Sequence, residues 1–196
     1  NYIDDNVTME PGIIFEDREI LVLDKPSGMI VNRSDTTVGE KTIQDWVDGY
    51  LRVSKEGKVS EVPKGEVSPF DTFDTFSTFD TFYQRAGIVH RLDKETSGIL
   101  LVAKTIESFE NLQKQFKERL VKKTYQALVH GEIKYPVGEI NVPVGRLPWN
   151  RKRFGVLAAG REAVTKYKVL SSKYYVLRGK REALTFIELY PQTGRT

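Results

Sequence analysis

The spacing of apolar and polar positions divides the chain into short strands, amphipathic helices and one stretch that fits neither period. Ile13-Ile14-Phe15 and Ile20-Leu21-Val22-Leu23 flank the charged run Glu16-Asp17-Arg18-Glu19, which predicts a β-hairpin. The polar residues 1–12 before it, with Pro11-Gly12, predict a loose arm. Asp24-Lys25-Pro26-Ser27-Gly28 reads as a plain turn, and Met29-Ile30-Val31 as another short strand. Ile43, Trp46, Val47 and Tyr50 recur at helical steps, so Thr42 to Leu51 predicts a helix capped by Thr42 with Trp46 in the core. The continuous apolar run Ile99 to Ala103 predicts a buried strand. Thr105 to Leu120 predicts a second helix, capped by Thr105, with Phe109, Leu112, Phe116 and Leu120 on one face.

Further along, Lys123 to Gly131 alternates as a strand with Tyr125, Ala127 and Val129 on one side. Glycine and proline at short intervals from Gly131 to Pro148 suggest a turn-rich hairpin region. Residues 163–170, 174–177 and 183–190 predict three more strands. Between residues 52 and 84 the chain is different: it ends in the repeat Phe70-Asp71-Thr72-Phe73-Asp74-Thr75-Phe76-Ser77-Thr78-Phe79-Asp80-Thr81-Phe82. A period of three is that of neither a strand nor a helix, so its phenylalanines cannot all face one core and the stretch reads as a low-complexity inserted loop.

Composition narrows the chemistry. The 196 residues are enough for one domain with a sizeable core, and 39% hydrophobic and 29% charged residues are ordinary for a globular protein. With no cysteine and only two histidines, thiolate sites and disulfides are excluded and no metal site is expected. No apolar run approaches the roughly 18 residues of a membrane span, so a cytoplasmic protein away from membranes is the default. Net charge is only +3 but unevenly spread: residues 1–80 hold 8 Lys and Arg against 17 Asp and Glu, and residues 81–196 hold 22 against 10. The basic half suits a polyanion such as RNA; it also fits charges segregated between two solvated surfaces.

That basic half opens on the stretch Gly87-Ile88-Val89-His90-Arg91-Leu92-Asp93-Lys94-Glu95-Thr96-Ser97-Gly98, immediately before the apolar run. A turn seated on a buried strand can hold a reactive side chain rigidly, and Asp93 is the candidate. His90-Arg91-Leu92-Asp93-x-x-Thr96-Ser97-Gly98 resembles the signature of the RluA/RluC/RluD family of RNA pseudouridine synthases. Lys123-x-Tyr125-x-Ala127-x-Val129-x-Gly131 is similar to a second family segment, and Thr193-Gly194-Arg195-Thr196 to the start of a third. Asp24-Lys25-Pro26-Ser27-Gly28 also resembles the opening of the family's catalytic domain.

The resemblance implies an α+β fold on a large mixed, mostly antiparallel sheet with flanking helices and a central active-site cleft. It implies that Asp93 is the catalytic nucleophile, that Tyr125 and Arg195 lie in the active site, and that Arg91 holds the rearranged RNA. His90 supports the same loop or contacts phosphate. Lys123 continues the basic surface of the second predicted helix, and Arg151, Lys152 and Arg153, packed between Trp149 and Phe154, suit an RNA-contacting loop or a plain charged hairpin tip. The expected activity is isomerisation of uridines in ribosomal RNA, or transfer RNA, by a monomer that needs no cofactor and no metal.

Residues 1–196 then form one catalytic domain, with residues 52–84 inserted. The chain starts at Asn1 and stops at Thr196 inside the third motif, so a fragment is expected, without the small RNA-binding domain that precedes the catalytic domain in many relatives. A non-catalytic RNA-binding module of the same fold is the alternative. A glycosidase-like pair of Asp93 and Glu95, which two positions apart could lie roughly 5–7 Å from each other, is a third reading.

Overall fold

The structure, a computed structural model, describes residues 9–34, 39–56, 73–177 and 179–194. It divides into two compact units, Asn1–Leu120 and Val121–Thr196. The first carries a three-stranded sheet in the order β1-β2-β3 and the second a five-stranded sheet in the order β4-β8-β7-β5-β6. The three helices all belong to the first unit, and the class is α+β. The expected single large sheet is recorded as these two, and every strand pairing among the described residues is antiparallel rather than mixed.

In the first unit, β1 (Gly12–Glu16) and β2 (Ile20–Lys25) form the expected hairpin. Asp17 closes it, its carboxylate accepting the amides of Glu19 and Ile20 at 2.8 Å each. β2 then pairs along its whole length with β3 (Gly98–Ala103). Because strand side chains alternate, Leu21 and Leu23 of β2 and Leu100 and Val102 of β3 share one face, and all are fully buried. Residues 29–31 are not a strand. Their backbone serves α1 (Ile43–Glu56) instead: the carbonyls of Ile30 and Val31 accept the amides of Ile43 and Gln44 at 2.9 and 3.0 Å, two of the four amides a helix start leaves unpaired. Thr42 caps the same end, with Asp45 N–H on Thr42 Oγ1 and Thr42 N–H on the Asp45 carboxylate. Ile43 and Val47 of α1 are buried, whereas Trp46 is half-buried and stacks on Tyr50, so it is not a core residue.

Both ends of the stretch 52–84, expected to be loop, are helical. α1 continues to Glu56, and Phe73–Gln84 form helix α2; the rest of the stretch lies outside the described residues. Three residues advance a helix by about 300°, so successive phenylalanines of the repeat fall about 60° apart and drift around the helix. A helix is therefore compatible with the repeat, provided only part of it faces the core. Phe82 does: it is 8% exposed and packs with Val89, Ala103 and Phe109. The helix ends in a turn of the left-handed type, with Gly87 N–H on the Phe82 carbonyl at 2.9 Å and positive φ at Ala86 and Gly87. A side chain at Gly87 would collide with the carbonyl oxygen of Ala103, so the chain enters the Asp93 segment pressed against β3.

α3 (Ile106–Lys117) covers this cluster with Phe109, Leu112 and Phe116. Thr105 caps it through a reciprocal pair with Ser108, as its sequence predicts. Leu120 leaves the expected apolar face: the helix stops at Lys117, Arg119 takes a left-handed conformation (φ 60°), and Leu120 is 62% exposed.

The second unit comprises β4 (Tyr125–His130), β5 (Val137–Leu147), β6 (Asn150–Val156), β7 (Arg161–Leu177) and β8 (Lys180–Pro191). The region expected to be turn-rich is mostly β5. The strands expected at 163–170 and 174–177 are one strand, β7, because an irregularity between Val169 and Ser171 absorbs the break in alternation without breaking the pairing with β8. Tyr125 lies opposite Leu189, which lies opposite Tyr167, which lies opposite Gly138. A Cβ at Gly138 would come within 2.6 Å of the Tyr167 hydroxyl and 2.7 Å of its ring, so the missing side chain is the space the tyrosine occupies. No helix among the described residues is long and apolar enough to cross a membrane.

Candidate active site

The Asp93 segment is built on the end of β3. Gly87 to Val89 run antiparallel to β3 on the side away from β2, with Ala103 N–H on the Gly87 carbonyl at 2.8 Å and Val89 N–H on the Leu101 carbonyl at 3.4 Å. The chain then leaves the sheet at His90. His90 Nε2 accepts the Leu101 amide at 3.0 Å, and the ring stacks on Phe116 of α3, centroids 4.8 Å apart. Leu92 is buried, whereas Arg91 and Asp93 are exposed. Asp93 begins a tight turn, its carbonyl accepting Thr96 N–H at 3.1 Å, a position aspartate favours.

The far side of that turn is clamped by residues about seventy positions earlier. Lys25 ends β2 on the buried face of the sheet and is 0% exposed. Its ammonium donates to the carbonyls of Pro26 at 2.9 Å, Lys94 at 3.0 Å and Thr96 at 2.7 Å, so all three of its protons are used. Gly28 N–H adds a second bond to the Lys94 carbonyl at 2.7 Å, and Ser27 Oγ donates to the Glu95 carbonyl at 2.8 Å. Three successive carbonyls after Asp93 are thus held by one lysine and the turn that follows it. Lys94 Nζ pairs with Glu40 on the surface at 2.9 Å.

Burial pushes the Lys25 ammonium below its usual range, and the charges of Glu95 and Asp93 oppose that shift. The cation therefore lies in the field of the candidate nucleophile as well as under its loop. Lys25 reads locally as a plain turn residue because its partners are distant in sequence. The period of β2 carried the signal: Leu21, Leu23 and Lys25 alternate onto one face, and a lysine there needs partners in the core.

The other expected site residues belong to the second unit. Tyr125 is half-buried at the start of β4. Lys123, just before it, is half-buried. The approach to Arg195 is tied to β7 by Gln192 N–H on the Val164 carbonyl (2.8 Å) and Val164 N–H on Thr193 Oγ1 (3.1 Å). Arg195 itself lies outside the described residues. The basic run falls at the β5–β6 hairpin and into β6, where Trp149 at the tip is 77% exposed, Arg153 is exposed and the Arg146 guanidinium sits 4.8 Å from the centre of the Phe154 ring. The side chains of Arg151 and Lys152 lie outside the described ones.

Set beside known proteins, this arrangement has clear relatives. A family model described as RNA pseudouridylate synthase matches residues 19–196. The chain belongs to that family. An uncharacterized RNA pseudouridine synthase of Aquifex aeolicus is 34% identical over 184 residues, covering 94% of this chain and 49% of the relative. Ribosomal large subunit pseudouridine synthase D of Nitrosomonas europaea is 34% identical over 186 residues, covering 94% and 43%. The protein of the same name from Pseudomonas aeruginosa is 34% identical over 188 residues, covering 96% and 48%. The chain spans about half the length of these curated relatives. Among solved structures, Human RNA Pseudouridylate Synthase Domain Containing 1 superimposes with a TM-score of 0.63 at 22% identity, over 95% of this chain and 61% of that one, a likeness of fold. The resemblance read from the sequence thus holds at the level of the family.

Proposed function

We propose that this chain is the catalytic part of an RNA pseudouridine synthase that isomerises uridines in ribosomal RNA, or in transfer RNA, with Asp93 as nucleophile. The observation that carries the reading is the Asp93 loop: an exposed carboxylate on a turn whose backbone is fixed on both sides, at His90 and at residues 94–96. Preorganisation of this kind is what a single-carboxylate reaction requires. Family membership supports the reaction type, and the names of the Nitrosomonas and Pseudomonas relatives support large-subunit ribosomal RNA as the substrate.

The target uridine leaves its stack, at a cost of a few kcal/mol, and presents its sugar and base to Asp93. The ionised carboxylate starts the reaction by covalent attack or by removing a ribose proton. The bond from ribose C1′ to uracil N1 breaks, the base turns, and C1′ bonds to C5. The C5 proton leaves and N1 gains one, so atoms and electrons balance without an oxidant. Arg195 is a further active-site residue. Tyr125 offers a flat face to the uracil and a hydroxyl for the C5 proton. Arg91 holds the rearranged RNA, and Lys123, Arg151, Lys152 and Arg153 meet phosphates. Residues 1–196 belong to one catalytic domain, acting as a monomer in the cytoplasm.

The test is to incubate the full-length gene product with unmodified large-subunit ribosomal RNA and, separately, transfer RNA, and to analyse the nucleosides by liquid chromatography and mass spectrometry. Loss of uridine with gain of an isomer of the same mass at a few mapped positions is expected. RNA bound but returned unchanged from both pools would overturn the reading in favour of a binding module.

A further inference from the structure

We propose that His90 is a positioning residue for Asp93, acting as a neutral imidazole that replaces a strand carbonyl at the point where the loop leaves β3; the proposal rests on the reading of Asp93 as nucleophile. Along this edge of β3 the ladder is regular up to Val89, through the Gly87–Ala103 and Val89–Leu101 bonds and the Ile88–Val102 bridge. In an antiparallel ladder the Leu101 amide would next be accepted by the carbonyl of the residue opposite it. Here the acceptor at 3.0 Å is the His90 ring nitrogen. The side chain satisfies the amide and so releases the main chain to turn away toward Asp93.

Two consequences follow from the chemistry. A ring nitrogen that accepts a hydrogen bond carries no proton, so the ring is neutral and Nε2 is not offered to phosphate. The second fixed point is the ring face, stacked on Phe116, which itself packs against the Phe82, Val89, Ala103 and Phe109 cluster. His90 therefore registers the loop against β3 and α3 together. Beyond Asp93, the carbonyls of residues 94–96 are already pinned by Lys25, Ser27 and Gly28. Only Arg91, Leu92 and Asp93 lie between the two anchors, with the buried Leu92 side chain the one packed point among them, so slack at His90 reaches Asp93 within three residues.

The experiment compares the full-length parent with His90→Phe, which keeps an aromatic ring for Phe116 but has no acceptor, and His90→Gln, whose amide oxygen occupies nearly the place of Nε2. Single-turnover rates at saturating RNA and RNA dissociation constants are measured for each. A misplaced nucleophile typically slows the chemical step by about tenfold to a hundredfold. We expect that loss in His90→Phe with RNA affinity unchanged, and recovery to within about threefold of the parent in His90→Gln. An unchanged rate in His90→Phe, a loss confined to RNA affinity, or a His90→Gln as slow as His90→Phe would overturn the proposal.

The ¹⁵N shift of His90 Nε2 in the parent provides a readout independent of turnover and of how the variants fold. An acceptor-type nitrogen coupled to the Leu101 amide is expected; a protonated or uncoupled Nε2 would overturn the proposal. If the parent makes no pseudouridine while the nitrogen signature is found, the failure lies with the proposed reaction and not with the role of His90 in holding the loop.

Discussion

Replacing Lys25 by methionine keeps most of the side-chain volume and removes the ammonium beneath the Asp93 loop. The Lys94 carbonyl would keep its bond from Gly28 N–H, but the carbonyls of Pro26 and Thr96 would lose the donor they have in Lys25. Both bonds are partly buried, and an acceptor left without its donor in such a place costs about 1–3 kcal/mol, so the two together cost at most about 2–6 kcal/mol. Part is recovered because an ammonium no longer has to be buried, which leaves a net loss of about 2–4 kcal/mol concentrated at the loop. The direct assay is amide hydrogen exchange. Protection of the Gly28 and Thr96 amides, which bond to the Lys94 and Asp93 carbonyls, should fall by about 30-fold or more, while the amides within the β2–β3 ladder change much less. Single-turnover rate should fall by about tenfold or more with RNA affinity unchanged. Unaltered exchange at Gly28 and Thr96 in a folded Lys25→Met protein would refute the claim that this lysine holds the loop.

Other expectations follow from the same framework. Asp45 would be raised by burial, but bonds from the Thr42 hydroxyl and amide and from Arg33 bring its carboxyl down to about 2. A depressed carboxyl stabilises the fold above its unfolded value and loses that contribution as pH falls toward about 2. Discounted for its partial exposure, the loss between pH 5 and 2 should be about 1 kcal/mol greater in the parent than in Asp45→Asn, read from denaturant unfolding; equal slopes would contradict it. Phe82→Ala should cost about 3–4 kcal/mol because it opens a cavity against Phe109; a cost under about 0.5 kcal/mol would return α2 to the status of a tolerated insertion. Gly87→Ala combines a positive φ with a collision against the Ala103 carbonyl, and should destabilise by more than about 2 kcal/mol in thermal or denaturant unfolding.

Legibility in the sequence followed the range of the interactions. The β1–β2 hairpin, β3 and the Thr105 cap of α3 are set by neighbours within a few residues, and the apolar period and capping chemistry displayed them. α2 was hidden because its three-residue repeat gives no sign that Phe82, among the described side chains, packs against Phe109 of α3. Leu120 misled in the opposite sense: it keeps the spacing of the α3 stripe, but the left-handed Arg119 ends that register before it. The Asp93 signature was plain as a string of residues, yet its two anchors were not. Lys25 lies 69 and 71 positions from its Lys94 and Thr96 partners, and His90 meets Leu101 through a ring nitrogen that no motif specifies. A candidate nucleophile can be read from a chain more easily than the contacts that hold its loop.

The most direct test is tritium release from RNA labelled at uracil C5, measured for the full-length protein and its Asp93→Asn variant on the same ribosomal RNA. Release by the parent is expected, and none above background by a variant that folds and binds RNA equally well. Equal release by Asp93→Asn would contradict the assignment of Asp93 as the nucleophile.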